Sequence, residues 1–577
     1  MSDATMTNTA IQTTYARWLD RADASLQPEL AAMASDEKAL QDAFYRDLAF
    51  GTGGLRGIVG AGPNRMNIHT IARATQGLAD YLSTRYEKPS VAIARDSRRM
   101  GREFAETAAE VLAANGIRTL LYPRIEPTPA LSWAVRDQAC SAGICITASH
   151  NPAPYNGYKV YGADGCQITT QAAHDILAAI NEVDTFDDPK RMPLADAEKA
   201  GLAQWIGDDA LDRYIDATAV QSFADTAQAG EPLKVVYTPL HGAGLECVSR
   251  ILDRIGVDVV VDPVQSVPDG EFPTCPYPNP EVREALEHGL ALCDEVHPDL
   301  LLATDPDTDR VGIAVPHEGE YVLLTGNEVG ILLLDYVCEM RKRRREDLTD
   351  KIAITTIVSS AMADALAADR GFQLRRTLTG FKYIGEQIGF LEEGGQADRF
   401  MFGFEESYGY LAGAHVRDKD AVVASMLICE MARWHRAAGR NLVEAMQALY
   451  ERYGFFKNGL VTVEYPGSEG AKRMGQIMSD LRTNSPASIA ELAVESVVDY
   501  ADGARMPVLN PTVSDETQEL PPADVLEFRL EGGNKLIIRP SGTEPKVKAY
   551  AFAQAATDDE ADELLASLQE AAQTLLS

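Results

Sequence analysis

Three aspartates alternate along one short loop of the sequence, in the run Thr304-Asp305-Pro306-Asp307-Thr308-Asp309-Arg310. Carboxylates this close repel one another unless a cation lies between them, and hard oxygen ligands suit Mg²⁺ or Ca²⁺. The run is not an EF-hand, because Arg310 takes its sixth position instead of glycine and Pro316 its twelfth instead of glutamate. Asp305, Asp307 and Asp309 are therefore predicted metal ligands, with a structural Ca²⁺ site and unpaired surface aspartates as alternatives. Arg310 is placed to neutralise phosphate charge.

A serine in an earlier loop is a candidate acceptor of a phosphoryl group. Ser149 follows an apolar run, and small residues and His150 flank it in Thr147-Ala148-Ser149-His150-Asn151-Pro152. A hydroxyl at the end of a strand is accessible to a substrate and can act as a nucleophile. The alternative is an ordinary Ser/Asn turn with local hydrogen bonds to the backbone.

Two loops nearer the C-terminus carry groups that bind phosphate and sugar. The run from Arg539 to Thr543 offers a guanidinium, two hydroxyls and a glycine, which suit a phosphate dianion; the alternative is a Pro-Ser-Gly turn. Its candidate ligands are Arg539, Ser541, Gly542 and Thr543. In the other loop, Glu405 and Ser407 are equally suited to binding sugar hydroxyls and to capping the next helix.

Each of these four loops follows a short apolar run that predicts a strand. The runs are Ala142–Ile146, 299–303, 400–402 and 535–538. In α/β sheets ligands bind beyond the carboxyl ends of strands, so the loops are expected to converge on one cleft. A fifth segment, Gly51–Gly57, is rich in glycine and contains Arg56; it is either a flexible turn or a loop that brings an arginine to the site.

Helical patterns alternate with apolar runs elsewhere in the chain. Apolar spacing predicts helices over 36–48, 71–86 and 105–114 and a strand over 91–94. This alternation is typical of βαβ units with mixed or parallel sheets. Polar or proline-rich stretches interrupt it at 185–199, 224–232 and 507–522, and the last is predicted to be a linker into a small C-terminal domain.

Composition excludes several classes of partner. The 577 residues correspond to about four domains. The formal net charge of −33 argues against nucleic acid and anionic membranes as partners. The basic run Arg341–Arg345 ends a helical pattern, where cations complement the helix C-terminus. No apolar stretch reaches the ~18 residues of a membrane span, and Met1–Gln12 lacks the apolar core of a signal peptide. The eight scattered cysteines predict free thiols in a reducing cytoplasm.

The loops, taken in this order, resemble those of the α-D-phosphohexomutase family over roughly residues 45–555. The Ser149 loop resembles its phosphoserine loop and the aspartate loop its metal loop. Gly403–Ser407 resembles its sugar loop, and Arg539–Thr543 its phosphate loop. Three further segments resemble the phosphoglucomutase-like branch: Thr238–Gly242, Thr379–Lys382 and Arg417–Asp420. Many phosphomannomutase-type members have a histidine shortly after Glu-x-Ser, whereas Tyr408 follows it here.

The resemblance implies an α/β fold of four domains around a central cleft. Three would be related α/β domains with mixed sheets, and the fourth a smaller α+β domain. The expected ranges are 1–208 with the phosphoserine loop, 209–322 with the metal loop, 323–460 with the sugar loop and 461–577 with the phosphate loop.

The resemblance also implies a mechanism. Ser149 would be phosphorylated, and one Mg²⁺ would be held by the three aspartates and a phosphoserine oxygen. Lys159 matches the family's candidate base, with a pKa depressed by Arg56 and a desolvated cleft; the alternative is that it only screens phosphate charge. His150 would act either as a base or as a hydrogen-bond partner of Ser149, with the supporting role favoured. Lys382 and Lys419 would contact substrate oxygens, and Glu405 and Ser407 would bind sugar hydroxyls.

The expected activity is that of an isomerase that interconverts glucose 1-phosphate and glucose 6-phosphate, with glucose 1,6-bisphosphate as intermediate and activator. Alternatives on the same scaffold are phosphomannomutase and phosphopentomutase activity. A metal-assisted sugar phosphatase and a non-catalytic sugar-phosphate-binding regulator are more remote. The expected partners are sugar phosphates, without nucleic acid or membrane, for a cytoplasmic monomer or weak homo-oligomer.

Overall fold

The structure, a computed structural model, describes residues 8–51, 53–226, 231–465, 467–511, 517–541 and 546–577. They form two compact units. Unit 1 holds the described residues of 1–222, 234–313 and 414–426, and unit 2 those of 223–233, 314–413 and 427–577.

Unit 1 begins with three helices that form a small core of their own. They are α1 (Asn8–Arg21), α2 (Gln27–Met33) and α3 (Glu37–Phe44). The Asp36 side chain accepts a hydrogen bond from Ala39 N and caps α3, which lies within the predicted helix and ends at Phe44. Trp18 is buried edge-on against the Phe44 ring, with 6.0 Å between ring centroids.

A seven-stranded mixed sheet follows. Its strands are β1 (Phe50–Gly51), β2 (Gly54–Ile58), β3 (Ser90–Arg95), β4 (Arg118–Leu121), β5 (Ala142–Ile146), β6 (Tyr155–Gly162) and β7 (Ala203–Trp205), in the order β1-β2-β6-β5-β3-β4-β7. Its helices are α4 (Ile68–Arg85), α5 (Gly101–Ala114), α6 (Thr128–Asp137), α7 (Thr170–Asn181), α8 (Leu194–Lys199) and α9 (Asp208–Ala219). β3, β4, β5 and β7 are parallel, whereas the pairs β5–β6, β6–β2 and β2–β1 are antiparallel. The predicted strand over 91–94 and the predicted helices over 71–86 and 105–114 are confirmed as β3, α4 and α5.

The second α/β layer of unit 1 contains three parallel strands in the order β10-β8-β9. The elements are β8 (Lys234–Thr238), α10 (Leu245–Arg254), β9 (Asp258–Val261), α11 (Arg283–Val296) and β10 (Leu300–Thr304). All five residues of β10 are buried, which is typical of a parallel strand covered on both faces. Strand β11 (Val311–His317) carries the chain into unit 2.

Unit 2 contains a third α/β layer, whose sheet has the order β14-β13-β15-β16. Strand β12 (Glu320–Leu324), which pairs with β11, precedes this layer. The elements of the layer are α12 (Gly326–Arg343), β13 (Ile352–Thr356), α13 (Met362–Arg370), β14 (Gln373–Thr377), α14 (Phe381–Glu393), β15 (Phe400–Glu405), β16 (Gly409–Ala412), α15 (Ala421–Ala437), which begins in the unit 1 segment, and α16 (Leu442–Tyr453). As predicted, the basic run falls at the C-terminal end of α12.

The C-terminal part of unit 2 is an antiparallel sheet covered by helices. Its elements are β17 (Phe455–Glu464), α17 (Gly467–Thr483), β18 (Ser488–Ile489), β19 (Leu492–Asp499), β20 (Ala504–Pro507), β21 (Thr517–Leu520), β22 (Leu526–Leu530), β23 (Lys535–Pro540), β24 (Lys546–Ala555) and α18 (Asp558–Leu575). The main sheet has the order β17-β24-β23-β22-β19-β18, and β20 pairs with β21.

The predicted linker at 507–522 is wrong. β17, β18 and β19 precede this stretch and β22, β23 and β24 follow it, yet all six belong to one sheet. The stretch lies within the C-terminal domain: Pro507 ends β20, and Pro521 and Pro522 directly follow β21, which pairs with β20. Within the part of it that the structure describes, Leu509 pairs with Leu374 by backbone hydrogen bonds.

The fold is therefore α/β, with three α/β domains and a C-terminal domain built on an antiparallel sheet. All eight cysteines are buried free thiols, in keeping with the sequence. Over the described ranges, no helix is both long enough and apolar enough to cross a membrane.

Candidate active site

The phosphoserine loop and the metal loop lie directly after two buried strands of unit 1. Ser149 follows β5, and the aspartate loop follows β10. Both loops contain a residue in the left-handed backbone region, with φ of 50° at Ser149 and 56° at Thr308. Non-glycine residues adopt this region rarely, and such strain concentrates at functional sites.

Ser149 and the aspartate loop are in direct contact. The Ser149 hydroxyl donates a hydrogen bond of 2.6 Å to Asp305 Oδ2. The carboxylates of Asp305, Asp307 and Asp309 are buried, and one oxygen of each lies within 4.8 Å of the others. The candidate nucleophile and the predicted metal ligands thus form one cluster.

The aspartate cluster fits a divalent cation. Among the described residues, the buried atoms Asp307 Oδ1 and Asp309 Oδ1 have no hydrogen-bond partner. Burial raises the pKa of Asp305 well above its usual range, and the neighbouring Asp307 and Asp309 carboxylates raise it further. Orphaned buried oxygens and mutual repulsion are both relieved by a hard cation with oxygen ligands.

Two lysines pair with the cluster. Lys159 Nζ lies 2.8 Å from Asp307 Oδ2 and 3.5 Å from Asp309 Oδ2. Lys419 Nζ lies 3.1 Å from Asp309 Oδ2 and 3.1 Å from Asp418 Oδ1. Lys419 is expected from the sequence to contact substrate. No feature of the sequence indicates that it lies beside the metal loop.

The predicted depression of the Lys159 pKa is wrong. Burial does lower the pKa of Lys159, but the Asp307 and Asp309 carboxylates outweigh burial and hold this pKa above its usual value. The prediction rested on nearby cations such as Arg56. Two carboxylates that follow Lys159 by about 150 residues dominate its environment instead.

The remaining predicted residues of unit 1 surround Ser149. His150 Nδ1 lies 3.2 Å from Ser149 Oγ. Burial, followed by the Arg310 and Arg56 guanidinium groups, holds the pKa of His150 well below its usual value. Arg56 lies on β2 opposite Gly157 of β6. Arg310 donates a hydrogen bond of 2.6 Å to Glu281 Oε1, so its charge is already partly compensated.

Sequence reasoning did not assign two residues that hold the cluster. Thr128, at the start of α6, donates from its backbone N to Asp307 O at 2.8 Å and from Oγ1 to Asp307 Oδ2 at 3.0 Å. Tyr161 donates to Asp418 Oδ2 at 2.8 Å. Thr128 belongs to no motif and precedes Asp307 by 179 residues, so only the fold reveals it.

In unit 2, the sugar loop contacts the Thr379–Lys382 segment. Glu405 ends β15, and its Oε1 accepts a hydrogen bond of 2.7 Å from Gly380 N. Lys382 lies in the first turn of α14 and is buried, with its Nζ 5.0 Å from the centroid of the Tyr383 ring. Ser407 is half-buried in the turn between β15 and β16. The structure thus brings together two segments that the sequence places about 25 residues apart.

Within unit 2, cationic side chains of β23 and β24, next to the phosphate loop, affect the pKa of Glu406 in the sugar loop. Arg539 of β23 is directly opposite Lys548 of β24. Burial and Glu405 raise the pKa of Glu406 to about 7, and Arg539 and Lys548 oppose this rise. Ser541 donates from its backbone N to Lys546 O at 2.8 Å. The predicted ligands Gly542 and Thr543 lie outside the described residues.

Comparisons with known proteins agree with this geometry. The family models described as phosphoglucomutase/phosphomannomutase α/β/α domains I, II and III match residues 47–187, 212–319 and 325–453. A phosphoglucomutase of Staphylococcus epidermidis is 35% identical over 539 residues, which cover 92% of this chain and 95% of that protein.

Solved structures show the same fold. A putative phosphomannomutase from Thermus thermophilus has a TM-score of 0.67 at 23% identity, over 92% of this chain and 99% of that one. The open form of a Paramecium phosphoglucomutase, pp63/parafusin, has a TM-score of 0.67 at 18% identity, over 92% of this chain and 95% of that one. The resemblance drawn from the loops is confirmed, and the chain belongs to the phosphoglucomutase/phosphomannomutase family of phosphate-transferring isomerases.

Proposed function

We propose that this chain is a Mg²⁺-dependent phosphoglucomutase that interconverts glucose 1-phosphate and glucose 6-phosphate through phosphorylated Ser149. The observation that carries the proposal is the 2.6 Å hydrogen bond from the Ser149 hydroxyl to Asp305, within a cluster of three buried aspartates. A serine that accepts and returns a phosphoryl group needs a site that compensates phosphate charge at its oxygen.

Asp305, Asp307 and Asp309 would hold the Mg²⁺, together with a phosphoserine oxygen. When bound, the ion supplies positive charge next to the transferred phosphoryl group. The orphaned Asp307 and Asp309 oxygens support this assignment. Lys159 and Lys419 flank the same carboxylates and add fixed positive charge at the site.

The substrate hydroxyl attacks the phosphorus of phospho-Ser149, and the bond from phosphorus to Ser149 Oγ breaks. Lys159 or His150 would take the proton of the attacking hydroxyl or hold that hydroxyl, and a proton must pass to Ser149 Oγ as it leaves. The ion pairs of Lys159 with two carboxylates favour the screening role over the role of base. The neutral ring of His150, 3.2 Å from Ser149 Oγ, fits a supporting hydrogen bond. Arg56 and Arg310 would stabilise phosphate charge.

The predicted phosphate-loop and sugar-loop residues would contact the rest of the sugar phosphate. Arg539, Ser541, Gly542 and Thr543 would bind the phosphate that is not transferred. Glu405, Ser407 and Lys382 would contact sugar oxygens. The glucose 1,6-bisphosphate formed in the first transfer must turn end over end, so that its other phosphate occupies the same loop before the second transfer.

We also propose four domains, at 1–208, 209–322, 323–460 and 461–577. The three family matches fall inside the first three ranges. Because β17 pairs with β24 from Phe455 onward, we propose Phe455 in place of the expected 461 as the start of the fourth domain. We propose a cytoplasmic monomer or weak homo-oligomer, since the acidic chain has eight free thiols.

Phosphomannomutase and phosphopentomutase activity are the competing functions. Curated relatives named phosphoglucomutase favour glucose. A sugar phosphatase fits less well, because hydrolysis does not require the separate sugar and phosphate loops that unit 2 carries.

Coupled assays test the proposal with glucose 1-phosphate, mannose 1-phosphate and ribose 1-phosphate, each with and without glucose 1,6-bisphosphate. We expect the highest kcat/KM for glucose 1-phosphate and loss of turnover in Ser149→Ala, because the phosphoryl acceptor is removed. Ser83→Ala, which removes an exposed hydroxyl on α4, is the matched control. Activity retained by a folded Ser149→Ala variant would rule out the phosphoserine mechanism. A higher kcat/KM for another sugar phosphate would rule out glucose 1-phosphate as the preferred substrate.

A further inference from the structure

A buried arginine binds the backbone of the phosphoserine loop. Arg98 lies in the turn after β3 and is 3% exposed. Its Nη1 donates to Pro152 O at 3.0 Å and to Tyr155 O at 2.9 Å. Its Nη2 donates to Ser149 O at 2.5 Å and also to Asn151 O. One guanidinium therefore satisfies four carbonyl groups between residues 149 and 155.

A second chain of hydrogen bonds fixes the other side of the Ser149 peptide. Thr147 Oγ1 accepts a hydrogen bond of 2.8 Å from Ser149 N and donates one of 2.6 Å to Asp96 Oδ2. Asp96 in turn accepts from Arg98 N at 2.9 Å, and Arg98 Nε lies 3.4 Å from Asp96 Oδ2. The N–H and the C=O of Ser149 are thus both bound by one buried network, Asp96–Arg98–Thr147.

The network holds a strained residue. The φ of 50° at Ser149 is strained for a non-glycine residue, and such a conformation persists only where its surroundings over-determine it. In this conformation the Ser149 hydroxyl reaches Asp305 at 2.6 Å. Relaxation of the backbone would turn the hydroxyl away from the metal loop.

The turn that carries Arg98 is itself immobilised from the second α/β layer. The Arg98 guanidinium carbon lies 5.0 Å from the centroid of the buried Phe272 ring. A Cβ atom added to Gly270 would lie 2.6 Å from Arg99 N and 2.8 Å from Ser97 O. The backbones of the two layers are therefore in close contact behind the phosphoserine loop.

We propose that Asp96, Arg98 and Thr147 are positioning residues for phosphoryl transfer, which hold Ser149 in the left-handed conformation that directs its oxygen to the metal loop. This inference rests on the proposed phosphoserine mechanism. It assigns a function to the Asp96-Ser97-Arg98 segment, whose hydrogen bonds fix the backbone and Thr147 of the phosphoserine loop. Lysine cannot replace Arg98, because a single ammonium cannot serve four carbonyls as a planar guanidinium does.

The decisive comparison is Thr147→Val against Thr147→Ser. Valine keeps the volume but removes the hydroxyl between Asp96 and Ser149 N, whereas serine keeps the hydroxyl. We expect Thr147→Val to lower kcat about 10- to 100-fold with KM changed less than about threefold, because misplacement of a reacting group by about 1 Å costs about that much. We expect Thr147→Ser to keep kcat within about threefold of wild type.

The ³¹P resonance of phospho-Ser149 provides a readout that does not depend on turnover. It should shift or broaden in Thr147→Val and coincide with wild type in Thr147→Ser. Arg98→Lys should lower kcat at least about 100-fold, and Arg99→Lys, at a neighbouring arginine whose side chain is 47% exposed, should stay within about twofold. If Arg98→Lys does not fold, the comparison of Thr147→Val with Thr147→Ser tests the positioning role on its own.

Equal kcat values and equal ³¹P resonances in Thr147→Val and Thr147→Ser would overturn the positioning role. A loss confined to KM would also overturn it. Wild-type enzyme that turns over without phosphate on Ser149 would instead overturn the proposed function. The two failures are therefore distinguishable in one series of measurements.

Discussion

At the scale of single residues, the three aspartates of the metal loop are not equivalent. Asp305 accepts hydrogen bonds from the Ser149 hydroxyl and from the backbone N–H groups of Asp309 and Arg310. Asp307 accepts hydrogen bonds from Lys159 and Thr128, while Asp309 pairs with Lys419 and, at 3.5 Å, with Lys159. Each carboxylate thus joins the metal loop to a different part of unit 1.

Removal of one carboxylate charge should weaken metal binding. We expect Asp307→Asn and Asp309→Asn each to raise the Kd of Mg²⁺ at least about tenfold, since a neutral amide oxygen is a poorer ligand for a hard cation. Calorimetric titration of Mg²⁺, independent of turnover, measures the change. Asp294→Asn, at an exposed aspartate of α11, is the control and should leave the Kd unchanged. Wild-type Mg²⁺ affinity in both loop variants would place the metal elsewhere.

The sequence predicted the reactive residues of unit 1 but not their partners. Ser149 and the aspartates stand out because carboxylates at alternate positions and a serine after an apolar run are unusual locally. Arg98 and Thr128 act through contacts with residues 51 and 179 positions away, respectively, which no spacing rule encodes. The Lys159 pKa was mispredicted for the same reason.

At the scale of elements, the segment after β8 supports the metal loop from behind. Ala243 N donates to Pro306 O at 2.9 Å. A Cβ atom added to Gly242 would lie 2.4 Å from Pro306 Cα and 2.7 Å from Pro306 O. Only glycine permits this approach of two backbones, so the Thr238–Gly242 segment that marks the family branch has a physical role in the site.

Gly242→Ala should therefore displace the metal loop. We expect kcat to fall at least about tenfold and the free energy of unfolding to fall by about 1–3 kcal/mol, because the added methyl overpacks against backbone that cannot yield. Assays and urea unfolding measure both effects. Gly475→Ala makes the same change in the interior of α17 where no surrounding atom lies within 4 Å. It should leave kcat unchanged and raise the free energy of unfolding by about 1 kcal/mol, because alanine favours a helix over glycine. A wild-type kcat in Gly242→Ala would show that the loop does not need this contact.

Elements that depend on local pattern were predicted well. The apolar run 142–146 coincides with β5, and the runs 299–303, 400–402 and 535–538 mark β10, β15 and β23. The stretch 507–522 was misinterpreted because prolines and turn residues mark a break in regular structure without showing whether the chain returns to the same sheet. That return depends on pairing between β19 and β22, which lie on opposite sides of the break.

At the scale of the whole molecule, unit 2 joins its α/β layer to the C-terminal sheet through one apolar cluster. Ile357, Val358 and Leu378 come from the α/β layer, and Tyr550 and Phe552 from the sheet. Lys535 lies at this junction. Its Nζ donates to Ile357 O at 3.1 Å and lies 4.3 Å from the centroid of the Phe552 ring.

The stability of unit 2 should consequently depend on pH. Burial, followed by Arg376, lowers the pKa of Lys535 from 10.5 to about 8, while Glu527 opposes the shift. The folded state therefore binds this proton more weakly than the unfolded state. The contribution of Lys535 to stability is complete above 10.5 and is lost as the pH falls through 8.

Denaturant unfolding between pH 8 and 10.5 measures this effect. Relative to Lys535→Met, we expect wild type to gain up to about 3 kcal/mol across the range. Lys88→Met, at an exposed lysine, should follow the wild-type slope. Parallel pH profiles for wild type and Lys535→Met would contradict the assignment.

The order of domains was predictable at this scale, because each α/β layer repeats a local alternation of strand and helix. The division into units was not. Residues 414–426 belong to unit 1 although the chain before and after them belongs to unit 2. Only the tertiary contacts of this segment, such as the ion pair of Lys419 with Asp309, show that it belongs to unit 1.

This interleaving has a consequence for the order of events during synthesis. Lys419 follows Asp309 by 110 residues, so at ~5–20 residues per second it leaves the ribosome roughly 5 to 20 seconds later. Until then, the nascent aspartate loop lacks one of the two ammonium groups that flank it in the finished protein. Unit 1 therefore lacks its last segment, residues 414–426, until most of the third α/β layer has been translated.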